Sequence, residues 1–231
     1  FITLCGAAFG GGAVALDPDA KEILMPFSNL KIDPGERIAR EESVTEDRLE
    51  GVKTTGAAAY MTHNTRVSIF TIALGATWGV GTATLLFYNG VILGAVALDY
   101  VLAGHSVFLF AWLSPHGVIE IPAILLAGQA GLVLAGAFIG WGSRQSLRLR
   151  LRKISGDLVT LTFGVGLMMV WAGFIEAFIS QYHEPVLPYS FKIAFALVEL
   201  TLLVLYLWRA GAENKQSKGI PEEGLKGSEI V

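Results

Sequence analysis

Gly117 to Trp141, GVIEIPAILLAGQAGLVLAGAFIGW, is a run of 25 residues with a single ionisable side chain, Glu120. A bilayer core about 30 Å thick asks for roughly 20 consecutive apolar residues from each helix that crosses it. The run meets that requirement, and three more surround it: Val67 to Tyr88 with no charge, Gly90 to Trp112 with only Asp99 and His105, and Leu158 to Ile179 with only Glu176. A fifth, Ser190 to Trp208, is shorter and holds Lys192 and Glu199. Phe1 to Leu16 reads as an apolar helix already in progress, expected to be the tail of a truncated sixth span because no basic stretch precedes it as in a secretory signal.

The 231 residues are 53% hydrophobic and 16% charged, against about 25% charged in soluble domains. The polar residues are too few to cover a soluble fold of this size. The predicted fold is therefore all-α, a polytopic transmembrane helix bundle of about six membrane helices with a partly helical external loop. Its expected divisions are 1–16, the end of the truncated helix; 17–65, an extracytoplasmic loop; 66–208, five membrane helices; and 209–231, a cytoplasmic tail polar enough beyond Lys218 to be disordered. A net charge of −3 gives no basis for nucleic-acid binding, and the lone Cys5 excludes an intrachain disulfide.

Orientation follows from Lys and Arg, which are enriched in cytoplasmic loops. Gly142 to Gly156 holds Arg144, Arg148, Arg150, Arg152 and Lys153 and is expected in the cytoplasm, with Arg144, Arg148 and Arg152 on one face of a helical turn along the anionic leaflet. Counting outward, turns at Asn89-Gly90 and at 114–116 fall on the cytoplasmic and external sides. Within the external segment, Asp33-Pro34-Gly35-Glu36 has the form of a helix start, with a charged helix expected to about Glu50. Ile23, Leu24, Met25 and Phe27 form an apolar cluster able to dip into the interface. The pairs Gly75 and Gly79, Gly90 and Gly94, and Gly136 and Gly140 are four apart, a spacing that lets helix backbones approach. Packing within one monomer is favoured there over a homodimer interface.

An ionisable residue inside a membrane helix is a functional hypothesis by default. Asp99, His105, Glu120, Glu176 and Glu199 are of this kind, and Glu199 is the candidate to share the environment of Asp99. Ser114-Pro115-His116-Gly117 reads as a helix start that puts His116 and Glu120 one turn apart on one face, with Pro122 expected to kink the helix near Val118. Glu120 near one helix start and Glu176 near another helix's exit are expected at one depth. With His116 they would form a polar cluster, Asn64 and Arg66 at its rim, and Arg66 or His116 wedged between the carboxylates. Structural polar contact is the favoured reading of this cluster over a proton or ligand site. One His with one Glu is a weak metal signature. No phosphate loop, serine nucleophile elbow or His-Glu-Xaa-Xaa-His motif is present, so no catalytic residue, metal or cofactor is assigned.

The runs Asn64-Thr65-Arg66-Val67, Gly79-Val80-Gly81-Thr82, Tyr88-Asn89-Gly90-Val91-Ile92-Leu93-Gly94 and Pro115-His116-Gly117-Val118-Ile119-Glu120-Ile121-Pro122-Ala123, then Ala127-Gly128 and Gly131, resemble the stage II sporulation protein M family. Ala172-Gly173-Phe174-Ile175-Glu176-Ala177-Phe178-Ile179-Ser180 resembles that family's closing motif. The resemblance implies a multipass protein of the prokaryotic plasma membrane. It also implies partners among peptidoglycan-remodelling envelope proteins, or a MoxR-type ATPase system, besides the membrane lipids themselves. It supplies no reaction. The leading expectation is a non-enzymatic scaffold for envelope-remodelling proteins. The alternatives are a transporter or ion pathway using the buried acids, and an intramembrane metal-dependent enzyme around His116, Glu120 and Glu176.

Overall fold

The computed structural model describes residues 1–26, 28–43 and 53–218, of which 29, 53–61 and 211–218 are described by their backbone alone. These residues form helices and no strand: α1 (Ile2–Leu16), α2 (Ala20–Leu24), α3 (Ser28–Lys31), α4 (Pro34–Glu42), α5 (Lys53–Ala73), α6 (Val80–Leu102), α7 (Ser106–Ile139), α8 (Leu147–Ile175) and α9 (Tyr189–Lys218). Four are long and apolar enough to cross a membrane, namely α6, α7, α8 with the turn that ends it, and α9 to Ala210. The protein is a multipass membrane helix bundle. Phe27 and residues 44–50, where part of the apolar cluster and the end of the charged helix were expected, lie outside the described residues.

Helix α7 is the centre, packing against α5, α6, α8 and α9. Its 34 residues make it about 51 Å long at 1.5 Å per residue, well beyond a hydrocarbon core. Ala123, Ala127 and Ala130 are wholly buried and share a core with Ile72 of α5 and Val165 and Met169 of α8. Small residues on the shared faces let the backbones close up without a solvent-driven hydrophobic effect. The same logic joins α1 to α6. Those two run parallel, Thr3 beside Gly90 and Ala7 beside Gly94, while Gly6 and Gly10 face the backbone of Phe87 and Val91. Gly90 and Gly94 thus serve packing inside one chain. Gly136 has nothing near it, so its spacing from Gly140 marks no such contact here.

Four expected boundaries are corrected. The charge-free run Val67 to Tyr88 is a corner rather than one span: α5 ends at Ala73, a tight turn covers Leu74–Thr77, and Trp78 and Gly79 take positive φ of 54° and 83° before α6 begins. Hydroxyls replace charge at this corner. Thr77 Oγ1 accepts from Gly81 N at 2.9 Å, and Thr82 Oγ1 donates to Thr71 O at 2.7 Å. Asn89 and Gly90 are consequently mid-helix, with Asn89 Nδ2 donating to Leu85 O at 2.8 Å. The turn expected there is absent because Gly90 serves close packing.

The next turn falls at Ala103–His105, with Gly104 at φ 82° and His105 N donating to Tyr100 O at 2.8 Å. His105 therefore sits in a turn and not inside a span. Helix α7 starts at Ser106, eight residues before the expected cap. Ser114 instead donates to Phe110 O at 2.6 Å within the helix, and Pro115 and Pro122 are both helix-interior, as neighbouring helices allow in a membrane protein. Likewise α5 begins at Lys53, so Asn64 and Arg66 lie within a helix and not at its start.

The basic segment is also part of a longer element, since Leu147 to Lys153 forms the first turns of α8. Its far end lies with the start of α7 and the ends of α1 and α6. The described residues of 17–43 fold across that end as a cap. Asp33 Oδ1 accepts from Glu36 N at 3.1 Å with Pro34 next in the helix, the start read from sequence. Met25 is buried with Leu30 and Ile38 in a core that the cap shares with Val14 of α1, Ala95 and Val96 of α6 and Phe108 of α7, whereas Ile23 is exposed. The bundle therefore has a capped end and a basic end.

Candidate functional site

Beneath the cap, four helices contribute polar groups to one layer. Asn64 of α5 is buried, and its Nδ2 donates to Glu176 Oε2 at 3.5 Å. Glu176 opens a wide π-type turn, Glu176–Ser180, that ends α8. Such a turn shifts the register of the side chains that follow, and it is a recurrent feature of functional sites. It carries Ser180 to 2.8 Å from Nδ1 of His116 on α7. One turn further along α7 is Glu120, whose carboxylate lies within electrostatic range of Glu176. From α9 comes Lys192, fully buried, donating from Nζ to the carbonyls of Ser180 at 2.9 Å and Tyr182 at 2.6 Å. Ser68, one turn along α5 from Asn64, is buried with its hydroxyl unpartnered.

His116, Glu120, Glu176 and Asn64 thus share a layer, although the depth argument behind that expectation set the start of the helix eight residues too late. Glu120 is 14 residues past Ser106, so the first turns of α7 stand beyond the end of α8 and become a wall for the cap. Arg66 does not join the layer. Its guanidinium lies 5.6 Å from the ring of Phe70, and among the described residues no ion pair links it to either carboxylate. His116 bonds Ser180 rather than sitting between the two acids.

Asp99 and Glu199 are not neighbours. A span beginning at Gly90 would put Asp99 deep in the membrane. Because α6 starts at Val80, it lies three residues from the helix end and pairs with Lys21 of the cap at 3.7 Å. Glu199 accepts from Trp171 Nε1 at 2.6 Å, a contact between α9 and α8.

Above the polar layer, Arg37 of α4 clamps the cap down. It is 3% exposed, lies 4.2 Å over the ring of Trp112 and beside Tyr100 and Phe108, and donates from Nη1 to Tyr100 Oη at 2.7 Å. Its Nε donates to Glu41 Oε1 at 2.7 Å. The other oxygen of Glu41 meets His183 Nε2 at 2.9 Å, and His183 stacks on Phe108 at 4.7 Å. A second tie runs from Tyr189 Oη to Glu42 Oε1 at 2.6 Å. Burial alone raises the Glu41 carboxyl, but the His183 hydrogen bond and the Arg37 guanidinium outweigh it and hold the group below its ordinary value. Stability from this pairing is thus present above the ordinary glutamate range and lost as pH falls through the lowered value.

Sequence reading passed over Arg37, Glu41, His183, Ser180 and Lys192. Lys192 carried a signal, a cation near the start of an apolar helix. Arg37 and Glu41 carried only the four-residue spacing of an ordinary surface pair, which does not distinguish a buried clamp from a solvated one.

The Asn64–Glu176 contact gives a test of what the layer does for the fold. Glu176→Gln keeps an acceptor for Asn64 and is expected to unfold within a degree or two of the parent. Glu176→Leu leaves the buried amide unpaired, a loss of about 1–3 kcal/mol. Thermal unfolding of the purified proteins in one detergent checks both.

Neither a curated protein nor a solved structure matches the chain. A family model described as Stage II sporulation protein M matches residues 1–181, from α1 through the wide turn that carries Glu176 and Ser180. The match spans cap, central helix and all of the polar layer but Lys192, and this multipass membrane protein belongs to the stage II sporulation protein M family.

Proposed function

We propose that the protein is a non-enzymatic scaffold of the prokaryotic plasma membrane that presents its capped end, outside the cell, to envelope-remodelling partners. In this reading α1, α5, α6, α7, α8 and α9 are six membrane helices. The basic end, with Arg144, Arg148, Arg152 and Lys153, faces the cytoplasm, as the enrichment of Lys and Arg in cytoplasmic loops favours. Peptidoglycan-remodelling proteins meet the cap, and a MoxR-type ATPase would meet the basic end.

The observation that carries the reading is the Arg37 clamp. A segment that sequence alone makes a long loop is anchored by a buried cation, two carboxylates and four aromatic rings, and so offers partners a fixed surface. The ion-pathway alternative loses support because Asp99 and Glu199 are each held by a separate neighbour and line no common track.

Purification from native membranes, with the intact chain and with residues 17–43 replaced by a flexible linker of equal length, tests the scaffold. Partners captured by the intact chain should be lost with the linker while α6 to α9 remain folded. An unchanged set of partners would overturn the cap as the docking surface. Proteoliposomes of the pure protein are expected to show no proton or ion flux, and a flux abolished by Glu176→Gln would favour the pathway instead.

A further inference from the structure

The hairpin between α7 and α8 carries four arginines, and the fold divides them between two tasks. Arg150 is committed to the protein. Its Nε donates to Ala137 O at 2.7 Å, its Nη2 to Phe138 O at 3.4 Å and its Nη1 to Gln145 O at 2.7 Å. It thereby caps the last carbonyls of α7, where the helix dipole is negative.

Arg148 and Arg152 lie two residues either side of Arg150, about 200° round a helix of 3.6 residues per turn. They must point away from α7, and both are exposed, as are Arg144 and Lys153. Among the described residues no ion pair joins any of these four to a carboxylate, Asp157 of the same helix included. Arg144 lies in the loop before α8 rather than on the expected helical face. These four like charges, with no carboxylate partner among the described residues, repel one another, so the arrangement calls for an anion from elsewhere.

The depth of the cluster identifies that anion. Trp78 at the α5–α6 corner, Trp141 at the end of α7 and Trp208 near the end of the apolar part of α9 are 67%, 94% and 73% exposed. Exposed tryptophans gather where acyl chains give way to headgroups. The arginines follow Trp141 directly, which sets them at the level of lipid phosphates. Leu147, exposed, and Leu151, half-buried, lie one turn apart on one face of α8 and are placed to enter the acyl region, as the apolar side chains of interfacial basic helices do.

We propose that the α7–α8 hairpin is a binding site for an anionic phospholipid headgroup, held by Arg144, Arg148, Arg152 and Lys153. Arg150 takes no part in it. The site fixes the hairpin to one leaflet and does not depend on the scaffold reading.

The test uses the full chain in phosphatidylcholine nanodiscs containing a small fraction of brominated phosphatidylglycerol or brominated phosphatidylcholine. The quenching of Trp141 is obtained by difference from Trp141→Phe. Each base at an anionic surface adds roughly 1 kcal/mol, so brominated phosphatidylglycerol should quench Trp141 at least about tenfold more efficiently per lipid than the zwitterionic probe. That preference should fall towards parity in 1 M salt, where charge is screened within about 3 Å, and in R144Q/R148Q/R152Q. Equal quenching by the two lipids at low salt, or a preference that salt and the triple substitution leave intact, would overturn the proposal. If the triple variant fails to fold, the salt titration of the parent protein decides alone.

Discussion

Replacing Arg37 with leucine is expected to release the cap from the bundle. The leucine keeps much of the apolar contact with Trp112 but removes the cation, so Tyr100 Oη loses its donor and Glu41 keeps only His183. Breaking one side of a buried ion pair leaves an uncompensated charge, a loss of about 3–5 kcal/mol. Limited proteolysis should then cut within 17–43 on the order of a hundred times faster, since 1.4 kcal/mol corresponds to a factor of ten. The spans α6 to α9 should stay protected.

Acid should reproduce that release in the parent chain, because the depressed Glu41 stabilises the cap only while ionised. Protection measured from pH 7 downwards is expected to persist through the ordinary glutamate range and to fall only below it. In Glu41→Gln this dependence should vanish together with most of the protection at neutral pH.

The second large effect is expected at Gly94. A side chain there would run into the backbone of Ala7, and backbone cannot turn aside as a flexible side chain can. Gly94→Leu should therefore separate α1 from α6 and forfeit the close dispersion contacts that hold two helices together in lipid. Phe9 of α1 and Phe87 of α6 have ring centroids 5.9 Å apart and report on it. With cysteines at those two positions in a Cys5→Ala background, a short bifunctional thiol reagent should join them readily. In the Gly94→Leu chain the yield should fall on the order of tenfold, the loss of about 1.4 kcal/mol.

These two sites show how unevenly the fold could be read from residues. Apolar runs announced the membrane helices because the bilayer imposes length and composition directly, and Asp33-Pro34 announced α4 because capping is local chemistry. The ends of the membrane helices were harder. Leu74 to Gly79 turns the chain with glycine and threonine inside an apolar run, so no charge marks the corner, while Asn89-Gly90 imitates a turn but is a contact for Thr3. Gly104, at positive φ after the end of α6, was a usable stop signal.

In the candidate site, His116, Glu120 and Glu176 stood out because ionisable groups are rare in such runs. Ser180 did not, since only the wide turn beginning at Glu176 aims it at His116. Arg37 looked like any charged residue in a polar segment. Its burial depends on aromatic residues more than sixty positions away in the chain, Tyr100, Phe108 and Trp112, which no local pattern connects to it.

The central claim is a bundle whose capped end faces outward and whose basic hairpin faces the cytoplasm. Labelling of intact cells with a membrane-impermeant thiol reagent tests it most directly, using Ser28→Cys on the cap and Arg148→Cys on the hairpin, each in a Cys5→Ala chain. Both positions are exposed, so access depends only on the side of the membrane. Ser28→Cys should label in intact cells and Arg148→Cys only after permeabilisation; labelling of Arg148→Cys in intact cells, or protection of Ser28→Cys, would contradict the claim.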